Sequence, residues 1–218
     1  MKKTLLTMAL LSSLSTVALA NQAGDILVRG GLTMVSPDNG KSPVLLSGAD
    51  SGMALSVDDN VQLGLNFVYF FDSNWAIELL AATPFDHDIK LHAGDETSLL
   101  ADTKQLPPTL SALYYFDMAS AVKPYVGVGI NYTAFFDNSF TGTYSDAGFS
   151  NLELDNSFGF AVQVGADYEI NENWSVNASV RYIDISTDAT FDVAGDSIGS
   201  ASVDINPMVY SVMLGYTF

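Results

Sequence analysis

Two arginines, one glutamate and two histidines carry the chemistry that most needs explaining. Arg29 and Arg181 are permanent cations, and Glu78 is a carboxylate able to neutralise them. All three stand in otherwise uncharged runs: ILVRGGL, WAIELLA and VNASVRYI. A charge buried in such surroundings needs partners, so these residues point to a salt-bridge network. A catalytic reading would have to use His87 or His92, because the chain has only 2 histidines. It would also need a nucleophile within reach of the base. A satisfied or solvated histidine is the simpler expectation for both, and no enzyme is expected. Cysteine is absent, which removes disulfides, thiolate metal sites and a cysteine nucleophile. No metal site or cofactor is implied.

The elements that hold these charges alternate with period two, the mark of a strand with two unlike faces. Arg29 lies opposite Ile26, Val28, Leu32 and Met34. Glu78 lies opposite Trp75, Ile77 and Leu79, and Arg181 opposite Val176, Val180 and Tyr182. The same alternation runs through VQLGLNFVYFF, QLPPTLSALYYF, KPYVGVGINYTAFF and NLELDNSFGFAVQVGADYEI. It continues to the last residue in NPMVYSVMLGYTF, where Tyr210, Val212, Leu214, Tyr216 and Phe218 share a face. That makes eight strands, each with one apolar and one polar face.

The first 20 residues read as a cleaved secretory leader: Lys2 and Lys3, an apolar run from Leu5 to Leu14, then Ala18-Leu19-Ala20. Residues 21–218 are then one domain. Two of the eight basic residues leave with the leader, so six face 25 acidic ones and the net charge is −19. Such a chain repels nucleic acid and attracts cations. Beyond the leader no apolar run is long enough for a membrane helix.

Eight two-faced antiparallel strands fit two architectures. A soluble barrel turns its apolar face inward, and an outer-membrane barrel turns it out to lipid. The connections favour the second. Those near 72–74, 117–122 and 171–173 are short, whereas 36–60, 86–104, 137–150 and 184–202 are long. Short periplasmic turns alternating with long outer loops are the outer-membrane pattern. The fold expected is therefore an all-β, eight-stranded antiparallel transmembrane barrel with both termini periplasmic. Trp75, Trp174, Tyr216 and Phe218 stand at strand ends beside the short turns, as membrane-anchoring aromatics do. Phe85, Tyr132, Phe136, Phe158 and Tyr182 are expected at the other interface.

The polar faces then line the lumen. Eight strands leave just enough room for side chains, so a wide aqueous pore is excluded. A mid-height ring of Arg29, Asn66, Leu80, Thr109, Asn131, Gln163, Arg181 and Ser211 is expected, with Glu78 near the arginines. It is either a plug or a constriction with Leu80 as its apolar lip. Leu45, Leu46, Met53, Leu55, Leu99 and Leu100 lie in the first two long connections, where solubility alone would not place them. They suggest an apolar funnel, or equally a small loop core. Pro107 and Pro108 cannot donate ladder hydrogen bonds, so they mark the place for a lateral opening. By alternation, His87 would share the lipid face of Phe85 and Ile89, and His92 would face inward. The acidic residues of the long connections suit solvated loops, or a cation layer shared with lipopolysaccharide.

The stretches GLNFVYFF, ELLAATPFDHDI, LPPTLSALYYF, KPYVGVGINYTAFFDNSF and Trp174–Ile185 resemble the outer-membrane protein W family, over nearly the whole chain after the leader. That resemblance implies an eight-stranded barrel with a narrow, partly apolar lumen. It implies passage of small hydrophobic molecules, with exit sideways through the wall, and in some members a colicin-receptor role. A structural or receptor barrel without transport is the alternative, and a lipid-modifying enzyme a remote one. The partners expected are outer-membrane lipid and lipopolysaccharide, a small hydrophobic ligand or detergent, and the barrel-assembly machinery.

Overall fold

The computed structural model describes residues 21–38 and 40–218. The expected leader lies outside them. Eight strands close a barrel: β1 (Ile26–Ser36), β4 (Asn60–Phe70), β5 (Trp75–Ala82), β8 (Thr109–Tyr115), β9 (Val122–Phe140), β11 (Ser157–Glu169), β12 (Trp174–Ile183) and β15 (Met208–Thr217). Each pairs antiparallel with the next, and β15 closes on β1 in the register Val28↔Tyr216 and Thr33↔Ser211. Closure leaves no edge strand, which a lipid environment requires. Phe218 completes the seal, its backbone N–H donating to the Ile26 carbonyl at 2.9 Å.

The alternation decides which way the wall faces. Leu32, Leu63, Val128, Phe158, Val164 and Val212 are exposed on the outside, while Arg29, Glu78, Asn131 and Asn177 are fully buried inside. An apolar exterior around a polar interior is the reverse of a soluble barrel.

Two of the short turns share one device. Asp72 Oδ1 accepts from the N–H groups of Asn74 and Trp75, and Asn171 Oδ1 from those of Asn173 and Trp174. These side-chain caps fix the turn and place each tryptophan at the first position of its strand. Trp75, Trp174 and Phe218 expose their rings beside these turns, and Tyr216 stacks edge-on between Trp174 and Phe218 at 4.9 and 4.7 Å. Tyr132, Phe136 and Phe158 are exposed nearer the other end, but Phe85 is not.

The long connections are not loops. They form β2 (Ser42–Leu46), β3 (Ala49–Val57), β6 (Phe85–Ala93), β7 (Glu96–Leu106), β10 (Phe149–Leu154), β13 (Ser186–Val193) and β14 (Asp196–Asp204), with one short helix, α1 (Gly142–Asp146). These strands and the upper part of β9 pair in the order β10-β13-β14-β2-β3-β6-β7-β9. The wall of the barrel thus continues outward as a second sheet, and β9 runs unbroken through both. Polar outward faces concealed the strands in the sequence. Inside this sheet lies the main apolar core, built around Val44, Leu55, Ile89, Leu100, Phe135, Phe191, Val203 and Ile205.

Candidate functional site

The lumen divides into three levels. At the periplasmic end Leu27, Val68, Phe70, Ala76, Leu113, Tyr115 and Tyr125 pack together and fill the floor. Gly165 makes room for this packing, since a Cβ there would lie 2.5 Å from the Tyr125 ring.

Above the floor is the charge network. Glu78 accepts from Arg29 Nη1 (2.9 Å), Asn66 Nδ2 (3.0 Å), Gln163 Nε2 (2.9 Å) and Arg181 Nη2 (2.5 Å). Asp167 accepts from Arg29 Nε (3.0 Å) and Nη2 (2.5 Å), from Tyr115 Oη (3.1 Å) and from Asn177 Nδ2 (3.0 Å). Two guanidinium groups thus meet two carboxylates, and the buried cluster is neutral. Arg29 also lies over the Tyr125 ring, 5.3 Å from its centroid.

The structure brings together Arg29, Asn66, Glu78, Gln163 and Arg181, as the alternation indicates. It adds Asp167, Tyr115, Tyr125 and Asn177. One signal for Asp167 was available: two buried arginines require two carboxylates, and Asp167 shares the inward face of Gln163. Asn131 does not join the network. Its amide donates to Thr109 Oγ1 (3.0 Å) and to the Pro108 carbonyl (3.1 Å). Thr33 Oγ1 and Ser211 Oγ bond each other on a neighbouring part of the wall. Leu80 is buried one inward position above Glu78 on β5, with Asn66 and Thr109 as its cross-strand neighbours.

The third level is a cavity inside the outer sheet. It is a narrow, apolar space of about 30 Å³. Its walls include Leu55, Val57, Ile89, Leu100, Phe135, Phe191, Val203 and Ile205, with His87, Thr103, Gln105 and Thr187 as polar members. Of the six funnel residues, Leu55 and Leu100 line this space, while Leu46 and Met53 pack against the same core. Leu45 and Leu99 belong elsewhere. The register shifts between Pro43 and Leu45, and Val44 takes the buried place while Leu45 is left half-buried. A second shift, opposite Ile89 and Lys90, turns Leu100 and Ala101 both inward and leaves Leu99 exposed. A bulge does this because one extra residue resets the alternation.

The histidines are inverted from the simple alternation. His87 is buried with Phe85 and Ile89 inside the outer sheet, and His92 is on the half-buried side. The cause is a register change at Thr83-Pro84. Leu80 pairs with Thr109, but Phe85 pairs with Gln105, one residue out of step. Even-numbered residues point inward below the break and odd-numbered ones above it. His87 Nδ1 donates to the Asp58 carbonyl (2.7 Å), and its Nε2 meets Gln105 Nε2 (2.8 Å). Burial pushes the His87 pKa below its ordinary value, against the opposing pull of the Asp58 carbonyl and of Asp59, Asp86 and Asp58. His92 contacts Ser56 Oγ (2.8 Å) and Thr97 Oγ1 (3.0 Å). It does not line the cavity. Among the described residues no group of three or more His, Asp or Glu side chains is arranged to hold a metal ion.

The same break opens a seam in the wall. No ladder pair joins Ala81–Pro84 to Leu106–Pro108 among the described residues. The Thr83 N–H donates away from the seam to the Leu63 carbonyl, and the Pro108 carbonyl accepts from Tyr132 N–H on the far side. Pro107 and Pro108 have no N–H to offer. On the other side of β5 from the seam, Gly30, Leu63, Leu65, Ala81 and Thr83 line a groove on the outer wall.

A closed eight-stranded antiparallel barrel with a lipid-compatible exterior and a charged, filled lumen defines an integral outer-membrane barrel protein. The OmpW family model matches residues 22–218, and the chain belongs to the OmpW family. It is 45% identical over 222 residues to outer membrane protein W of Vibrio cholerae, covering all of both chains. Against outer membrane protein W of Escherichia coli K12 it is 45% identical over 218 residues, covering all of this chain and 99% of that one. Among solved structures, OprG of Pseudomonas aeruginosa superposes with a TM-score of 0.86 at 41% identity, over 91% of this chain and 98% of that one. The protein resides in the outer membrane of a Gram-negative bacterium.

Proposed function

We propose that this barrel admits small hydrophobic molecules into the apolar cavity from outside and releases them sideways into the membrane through the seam at Pro107 and Pro108. The observation that carries this reading is the Glu78–Arg181 ion pair spanning the lumen beneath the cavity. A charged crossbar and an aromatic floor oppose axial passage of an apolar molecule, because displacing either exposes buried charge. The seam needs no such cost, since its strands already lack ladder bonds there. Gln105 lines the cavity and pairs with Phe85 at the upper edge of the seam, so the two spaces adjoin. The outer groove beside Ala81 and Thr83 then gives an apolar molecule its landing place in lipid. In this reading Glu78, Arg29, Arg181 and Gln163 close the axial path, with Leu80 as its apolar upper lip. Trp75, Trp174, Tyr216 and Phe218 anchor the periplasmic rim in lipid, and no catalytic step is involved. A relative at 26% identity over 191 residues, covering 87% of each chain, is the dibenzothiophene metabolism operon protein PahQ of Pseudomonas aeruginosa. Dibenzothiophene is itself an apolar aromatic, which agrees with this ligand class.

The test is uptake of a labelled alkane by cells carrying the wild type or the pair Pro107→Ala and Pro108→Ala. Restoring two N–H donors lets the seam zip, and uptake should fall several-fold. Unchanged uptake through the closed seam, with loss on altering the charge network, would establish an axial route instead.

A further inference from the structure

We propose that the outer sheet opens along one line, between the upper part of β9 and β10, and that the rings of Phe140, Tyr144, Phe149 and Phe191 are the latch that holds this line shut. Opened, the line is the way in for the small hydrophobic molecule; that use rests on reading the barrel as an uptake route.

Every other junction of the outer sheet is a hydrogen-bonded ladder. β10 pairs with β13 alone, through Phe149↔Val193 and Glu153↔Thr190. β9 pairs with β11 only as far up as Thr133↔Ser157, and above that with β7 on its other edge. β10 nevertheless runs beside β9, so two strand edges face each other with no ladder bond between them among the described residues. Asn156 marks the foot of this line. Its Oδ1 accepts from the Phe135 N–H (3.1 Å), and its Nδ2 donates to Tyr132 Oη (3.0 Å). Above Asn156 both edges are irregular. Asp137 on β9 and Asn151 on β10 hold left-handed backbone, at φ 54° and 53°. Such a residue bends its strand and breaks the even spacing of N–H and C=O groups that pairing requires. The two edges are shaped not to zip.

Rings join them instead. Phe140 on β9 meets Phe149 on β10 at 5.5 Å and Phe191 on β13 at 5.8 Å, both edge-on. Phe149 also meets Tyr144 of α1 edge-on at 5.4 Å. Tyr144 is held on the β7 side, because its Oη bonds Ser98 Oγ (2.6 Å). α1 is the strap across the top. Thr141 before it donates its N–H to the Leu100 carbonyl (2.9 Å), and Gly148 after it accepts from the Ala194 N–H at the β13–β14 turn (2.9 Å). Parting a laddered junction breaks a row of hydrogen bonds. Parting this one costs edge-on ring contacts and the packing around them. Phe140, Leu152 and Leu154 also line the cavity, so the opened line leads directly into it. At about 30 Å³ the closed space is far smaller than an ordinary ligand pocket. Passage of a ligand therefore requires the wall to move, and this line is where it moves with least loss.

The chain has no cysteine, so introduced pairs report cleanly. Spin labels on Ser139→Cys and Ser150→Cys flank the line, and labels on Thr190→Cys and Ser200→Cys, a laddered pair of β13 and β14, serve as the control. Double electron–electron resonance on the protein in lipid nanodiscs should give one narrow distance for each pair. Phe149→Ala should add a second, longer distance across the line and leave the control pair as it was. Tyr144→Ala, which trims a half-buried ring, should do the same and keeps the latch testable if Phe149→Ala does not fold. An unchanged distance across the line in the folded variants, or an equal change in the control pair, would overturn the latch. In cells, bridging Ser139→Cys and Ser150→Cys with a short bismaleimide should cut labelled-alkane uptake several-fold relative to the same variant without the linker. Undiminished uptake by the bridged protein would overturn the entrance. Absence of alkane uptake by the wild type would overturn the uptake reading and the entrance with it, while the latch stands or falls on the spin-label distances.

Discussion

Arg181 on β12 donates to Glu78 on β5, and these two strands lie four places apart in either direction around the barrel. The pair is therefore a strut across the full width of the lumen. Arg29 Nη1 meets the same carboxylate, so one acid holds two cations from different walls. Removing it strands both. Glu78→Ala should lower unfolding stability by about 3–5 kcal/mol, the usual cost of leaving a buried charge unpaired. The double change Glu78→Leu with Arg181→Leu should cost less than Glu78→Ala alone, because it removes one stranded cation together with the acid. Urea unfolding in lipid vesicles measures both, and a double variant weaker than the single one would contradict the strut.

His87 should make the outer sheet sensitive to acid. Burial holds its folded pKa below the unfolded value of 6.5, so between the two the unfolded chain binds the extra proton. Stability is then complete above the unfolded pKa and falls as pH drops below it. Unfolding midpoints measured at pH 7.5 and pH 5 should differ in the wild type, and the difference should shrink in His87→Gln. An undiminished difference would assign the acid sensitivity to the carboxylates instead.

Ser56 and His92 make the one serine–histidine contact that a hydrolase reading could use among the described residues. The group on the other ring nitrogen is the neutral hydroxyl of Thr97, which does little to stabilise an imidazolium. Ser56→Ala should accordingly leave the lipid A and phospholipid profiles of expressing cells unchanged. A deacylated or depleted lipid that reappears in the variant would revive the enzyme reading.

Phe218 seals the barrel through its N–H bond to Ile26 and its edge-on contact with Tyr216. Deleting it should reduce the folded, heat-modifiable form in outer-membrane fractions several-fold, with unfolded chain accumulating in the periplasm. Phe218→Tyr, which keeps the ring and the N–H, should assemble as the wild type does.

The amino-acid sequence by itself determined the barrel, its strand number and the facing of Arg29, Glu78, Gln163 and Arg181. Side-chain alternation is a local property of extended backbone, and it holds for as long as a strand runs unbroken. Wherever it breaks, the outcome belonged to the tertiary structure. The shift at Thr83-Pro84 carried His87 inside and His92 out, the bulges near Val44 and Leu100 turned Leu45 and Leu99 away from the cavity, and long connections with polar outer faces became an outer sheet. Asp167 was on the right face, yet only the closed barrel brought it from β11 to Arg29 on β1. A pairing of that kind depends on which strands end up opposite each other, and the curvature of the whole wall decides that.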